Sequence, residues 1–106
     1  MNLQKMMRQA QEMQQRVQTM QAHVEAQEVD GVAAGGLVSV RLNGKNQMLK
    51  ASIDASLLKP EDKETVEDLF IAAYRNAREK LDTLYTDEMQ KLSGGLNLPP
   101  GMKLPF

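Results

Sequence analysis

An α+β architecture in the order α-β-β-β-α, with a small antiparallel sheet between two long helices, follows from three patterns in the chain. The first is an apolar seam: Leu3, Met6, Ala10, Met13, Val17, Met20 and Val24 recur at alternating spacings of three and four. The second is a pair of alternating segments on either side of Asn43-Gly44. The third is a helical stripe that begins beyond Pro60 and runs to Leu92.

The seam predicts a helix over about 3–23. Read as heptads, Leu3, Ala10, Val17 and Val24 occupy the a positions and Met6, Met13 and Met20 the d positions. A stripe this narrow does not hold a lone helix, because helical stability in proteins comes largely from packing an apolar face against something else. Its partner is either another chain or the protein's own second helix or sheet. The remaining helix positions are nearly all polar, chiefly Gln, a good helix former that adds little charge pairing.

Three strands are expected next. Val24-Glu25-Ala26-Gln27 alternates, predicting a short strand over about 24–30, and Gly31 with Ala33-Ala34-Gly35-Gly36 reads as a flexible connection. Over 37–42, Val38, Val40 and Leu42 share one face, with Ser39 and Arg41 on the other. Asn43-Gly44 tolerates the positive φ angles of a tight hairpin turn. The return strand, about 47–53, sets Leu49, Ala51 and Ile53 against Met48, Lys50 and Ser52.

Pro60 opens the last helix, where its missing N–H is tolerated. Glu61, Asp62 and Glu64 follow, opposing the positive end of the helix dipole. Val66, Phe70, Ala73, Ala77, Leu81, Leu84, Met89 and Leu92 form its stripe. A helix over about 60–92 spans roughly 50 Å at about 1.5 Å per residue. That exceeds the width of a compact domain of 106 residues, so the helix projects or is flanked by a partner. Ser93-Gly94-Gly95 stops it, and Pro99, Pro100 and Pro105 keep the tail, 97–106, out of helix and sheet interiors.

Composition favours one domain that supplies half of a two-chain core. There are two Phe, two Tyr and no Trp, while eight Met and many Ala take the place of aromatic bulk. Met adapts to interfaces but specifies packing poorly, and a homodimer enlarges a core that is thin for one chain. The apolar strand residues Val38, Val40, Leu42, Leu49 and Ile53 are the candidate dimer interface.

Enzyme chemistry finds little support. The chain has no Cys and one His, His23, at a g position beside the seam, so nothing completes a nucleophilic or thiolate metal site. Gly35-Gly36 and Gly94-Gly95 lack the Lys-Ser/Thr or the third glycine of a phosphate loop. The cluster Glu61, Asp62, Glu64, Glu67 and Asp68 reads as a solvated helix start rather than a metal site. The expectation is therefore no catalytic residue, metal, cofactor or small-molecule substrate. No segment resembles a signal peptide or reaches transmembrane length, which predicts a cytoplasmic protein without membrane contact.

Surfaces remain. Net charge is −1, yet the charges come in blocks. Lys5, Arg8 and Arg16 outnumber Glu12 near the N-terminus, and Arg41, Lys45 and Lys50 stand without acids in the hairpin. Such patches bind polyanions even at neutral net charge. Lys5 and Arg8 are adjacent on the outer face of the first helix, with Arg16 on a neighbouring flank. Arg75 and Arg78 are neighbours on the last helix, with Lys80 on another flank. Cations placed this way suit phosphate contacts, which bind without reading bases. Ordinary solubilising charge gives the same spacing.

The order of segments resembles the YbaB/EbfC family of small bacterial nucleoid-associated, DNA-binding proteins. The resemblance is carried by Arg8-Gln9-Ala10-Gln11-Glu12-Met13-Gln14, by Gly36-Leu37-Val38-Ser39-Val40 with Asn43-Gly44, and by Ile53-Asp54-Ala55-Ser56-Leu57-Leu58. It continues through Val66-Glu67-Asp68-Leu69, Ala72-Ala73 and the tail Leu98-Pro99-Pro100-Gly101-Met102-Lys103-Leu104-Pro105-Phe106. It implies an intertwined homodimer joined through its central sheets, with long helices projecting like tweezers. It also implies binding of double-stranded DNA in the nucleoid with low sequence preference and effects on gene expression. Arg8, Arg16 and Lys80 fall where relatives commonly carry a base. Glu79 stands where a second base is frequent, and the basic, glycine-containing leader of many relatives does not precede the first helix; both differences subtract positive charge. The other reading is a dimeric adaptor whose helices or Pro-rich tail clasp another protein.

Overall fold

The computed structural model describes residues 2–94. Helix α1 spans Leu3–Glu25, strands β1, β2 and β3 span Glu28–Ala33, Val38–Asn43 and Met48–Ile53, and helix α2 spans Lys63–Gly94. The Pro-rich segment 97–106 and Gly95 of the helix stop lie outside the described residues. The molecule is elongated, 71 × 25 × 16 Å.

Asn2 caps α1: its side-chain oxygen accepts from the backbone N–H groups of Gln4 (3.1 Å) and Lys5 (3.4 Å). The strand expected over 24–30 begins later. Val24 extends the spacing of Met20 by one turn, both are buried, and helix continues to Glu25. Four alternating residues do not outweigh a seven-point helical repeat. Gly31 and Ala33, expected in a flexible connection, instead belong to β1, and the reversal is a 3₁₀ turn over Ala34–Gly36.

The sheet is antiparallel in the order β1-β2-β3. Gly31 lies opposite Val40, and Val38 opposite Ile53. Between β2 and β3 the partner of Arg41 is Lys50 and that of Leu42 is Met48, so Leu49 is the extra residue of a bulge. The hairpin turn is longer than Asn43-Gly44 alone. Asn43 accepts from Asn46 N–H at 2.9 Å, and the residue at positive φ is Asn46, at 65°. Gly44 has another role. A Cβ there would lie 1.9 Å from the Val24 carbonyl oxygen, and its N–H donates to Gln27 O at 3.0 Å. The glycine lets the hairpin tip press against the base of α1.

Helix α2 crosses one face of β1 and β2. Val38, Val40 and Leu42 pack with Ala73, Ala77 and Leu81, all at most 6 % exposed. Small residues set the spacing: a Cβ on Gly31 would stand 2.1 Å from the Ala73 carbonyl oxygen and 2.6 Å from Ala77 Cβ. The candidate interface is corrected here. Val38, Val40 and Leu42 are consumed by the chain's own core and have no surface left for a partner. Leu49 is 50 % exposed and Ile53 half-buried.

Candidate nucleic-acid interface

The two helices leave the sheet together and run antiparallel. Helix α1 meets the sheet through Gln27 and Gly44, while α2 passes Leu81 and continues outward. His23 Nε2 lies 3.9 Å from Glu88 Oε1, and Lys91 Nζ is 3.3 Å from the same oxygen. Glu12, Arg16, Met20, His23, Lys91 and Leu92 line a cleft of about 590 Å³ between them. Helix α1 then outruns α2. Its seam is buried at Met20 and Val24, half-buried at Val17 and Met13, and bare at Met6 (50 % exposed) and Leu3 (73 %).

The first-helix cations therefore stand on a projecting rod. Lys5, Arg8 and Arg16 are exposed, and among the described residues no ion pair engages them. Lys5 and Arg8 point away from the seam, whereas Arg16 opens onto the cleft. Of the acids Glu61, Glu64, Glu67 and Asp68, Glu61 lies in a 3₁₀ turn over Pro60–Asp62 and the others in the first turns of α2, which starts at Lys63; none of them is paired with the cations of α1.

The second-helix cations are dispersed. Arg75 is exposed on the side opposite the sheet. Arg78 reaches Asp82 at 3.7 Å one turn on, a surface pair of small energetic weight. Lys80 is turned toward the sheet: Nζ donates to Asp30 O at 2.5 Å. Four residues earlier, Asn76 Oδ1 accepts from Val32 N–H at 3.0 Å. Together Asn76 and Lys80 occupy one outward N–H and one outward C=O of β1, capping the middle of that edge of the sheet. The resemblance makes Lys80 a phosphate ligand; in the structure its first task is the sheet edge, and the rest of its ammonium remains exposed.

The open face of the sheet carries a second set of charges that spacing alone did not single out. Arg41 holds Asp30 through two bonds of 2.8 and 3.3 Å, and this hydrogen-bonded guanidinium keeps the Asp30 carboxyl below its usual range. Lys50 lies alongside, lining the same shallow depression with Ser39. The hairpin's unbalanced positive block was the available signal; which face it occupies depended on the strand register. Among the described residues no cluster of His, Cys, Asp and Glu is arranged to hold a metal ion, and no helix is long and apolar enough to cross a membrane.

Comparison with known proteins decides the lineage. The pattern of the YbaB/EbfC DNA-binding family matches residues 1–96. The chain belongs to the YbaB/EbfC DNA-binding family. A nucleoid-associated protein of Rhodospirillum centenum is 50 % identical over 105 residues, covering 99 % of this chain and 98 % of the relative. One from Granulibacter bethesdensis is 48 % identical over the same shares. One from Rhizobium meliloti is 46 % identical over 101 residues, covering 95 % of this chain and 94 % of its own. The fold also matches the crystal structure of an uncharacterized protein from Helicobacter pylori, with TM-score 0.70 at 20 % identity, over 92 % of this chain and 99 % of that one. Within the YbaB/EbfC frame, the projecting α1 carries exposed cations that no ion pair engages among the described residues.

Proposed function

We propose that two copies of this chain pair through β3 and that the dimer binds double-stranded DNA with low sequence specificity, through the exposed cations of its projecting helices. It would act in the cytoplasm as a nucleoid-associated protein that influences nucleoid organisation and gene expression. The observation that carries the DNA reading is the placement of Lys5, Arg8 and Arg16 on a rod extending beyond the sheet, in a member of a DNA-binding family. Phosphate contacts of this kind position a protein on a duplex without reading base edges.

The dimer reading rests on an asymmetry between the sheet edges. Side chains of α2 cap β1, whereas β3 presents an outer edge together with Met48 (41 % exposed) and Leu49 (50 %). An exposed apolar edge is a ready template for strand pairing. Leu49 and Ile53 stay in the proposed interface, with Met48 in place of Val38, Val40 and Leu42. Sedimentation at micromolar concentration, with and without a duplex of random sequence, tests both parts. The expected result is a dimer alone and a heavier complex with DNA at 50 mM salt. A stable monomer contradicts the pairing. A dimer that leaves DNA unbound contradicts the nucleic-acid reading and favours the protein adaptor.

A further inference from the structure

Two apolar features of the molecule stand in solvent. The first is the tip of α1, where Leu3, Met6, Met7 and Ala10 share one face at the spacing i, i+3, i+4 and i+7. Leu3, Met6 and Met7 are 73, 50 and 63 % exposed, and burial along the stripe begins only at the half-buried Met13. The second is a shallow groove of about 660 Å³ where the chain enters α2. Leu57, Leu58, Pro60 and Val66 line it, and Leu58 is 67 % exposed. The four-point spacing on α1 is that of an amphipathic helix laid into an apolar groove.

One chain cannot bring the two together. The helices run antiparallel, with His23 beside Glu88 and Arg16 near Leu92. From that junction α1 runs back to Leu3 over about 30 Å, while α2 runs back to Lys63 over about 38 Å in the opposite direction. These two spans account for nearly all of the 71 Å length of the molecule. The strip and the groove therefore occupy opposite ends, and the occupant of either comes from outside the chain.

Charge selects that occupant. Before Glu12 the tip of α1 carries Lys5 and Arg8 and no acid. Around the groove, Lys63 is paired with Glu67 at 3.7 Å. Glu61, Asp62, Glu64 and Asp68 then stand against Lys59, and no ion pair engages them among the described residues. Two copies joined strip to strip, or groove to groove, set like charges together. Joined strip to groove, they set unlike charges together.

We propose that the strip Leu3, Met6, Met7 and Ala10 of one copy docks in the groove formed by Leu57, Leu58, Pro60 and Val66 of a second copy. Adaptable methionines suit a shallow site of this kind. Lys5 and Arg8 lie on the other side of α1 from the strip, so docking leaves them in solvent. The contact is small and belongs with weak, reversible interfaces. The proposal does not depend on DNA binding or on β3 pairing.

The absence of cysteine permits a direct test in the full chain. A Met6→Cys protein and a Leu58→Cys protein are mixed in equal amounts and oxidised mildly, and the disulfide products are separated by mass. Docking brings these two positions within the usual Cα span of about 4.4–6.8 Å, so the mixed disulfide should exceed either like-paired product by about tenfold. A dominant Met6→Cys pair would show strips meeting each other, and a dominant Leu58→Cys pair would show grooves meeting. Products in statistical proportion would show that neither end docks; each of these results overturns the proposal. Independently, Leu58→Asp should lower the weight-average mass in sedimentation at about 100 μM while circular dichroism stays that of the wild type. An unchanged mass with the fold retained would also overturn it.

Discussion

The middle of α2 and the first half of α1 are both apolar helical stripes, yet their fates differ. Ala73, Ala77 and Leu81 are almost completely buried, whereas Leu3 and Met6 stand half or more in solvent. Side-chain size accounts for the first. Alanines and Gly31 let the α2 backbone approach β1 closely, so the sheet seals the stripe. The second stripe, Leu3, Met6, Ala10 and Met13, lies along the rod beyond the sheet, so no such approach seals it. A helical repeat thus announces that a face will be covered, while residue size and position along the rod decide by what.

Substitutions at the two stripes should differ accordingly. Val40→Asp sets a carboxylate among Val38, Leu42 and α2, where an unpaired charge is worth several kcal/mol against folding; circular dichroism should report an unfolded chain. Gly31→Val should be nearly as damaging, because its Cβ meets backbone atoms of α2, which yield less readily than side chains. A folded Gly31→Val protein with an unchanged melting curve would mean that the close approach of β1 and α2 is not the organising contact.

A smaller effect should separate the base of α1 from the sheet. Gly44→Ala drives a methyl into the Val24 carbonyl, at a cost of about 1–3 kcal/mol. Amide exchange should rise first at the C-terminal end of α1 and at Gln27, while β2 stays protected. Equal loss in β2 would show that hairpin and helix unfold as one unit.

Smallest of all is the contribution of the open sheet face. The Arg41 hydrogen bonds lower the Asp30 pKa, and those of Ser56 lower that of Asp54. For a depressed carboxylate the stabilisation is present above the unfolded-state pKa and is lost as pH falls through the folded value. Wild type and Asp30→Asn should therefore differ slightly at neutral pH and converge below about pH 4. A difference that grows toward acid would contradict the pairing of Asp30 with Arg41.

The same contrast explains what could be read from sequence. The helix–strands–helix order, the hairpin and the long α2 follow from periodicity, since each element buries one face. The start of β1 did not, because a valine at a helical spacing and a valine in a short alternation look alike until Met20 and Val24 are seen to share a buried face. Nor could spacing show that Gly44 serves close packing and Asn46 the turn, or that Asn76 and Lys80 cap β1, contacts 44 and 50 residues apart in the chain. Lys5 and Arg8 were legible as an outward pair because a helix fixes its own faces. Lys80 was not, because its direction is set by the sheet.

Salt-dependent binding tests most directly whether the exposed cations of α1 contact DNA phosphates, as proposed. If a dimer sets about four cations on phosphates, log K falls against log salt with a slope near −3.6, about a hundredfold between 50 and 200 mM. Arg8→Glu with Arg16→Glu should weaken binding to every duplex by a similar factor and flatten that slope, with the circular dichroism and the oligomeric state of the wild type retained. A double variant that binds with the wild-type affinity and slope would place the DNA elsewhere on the molecule.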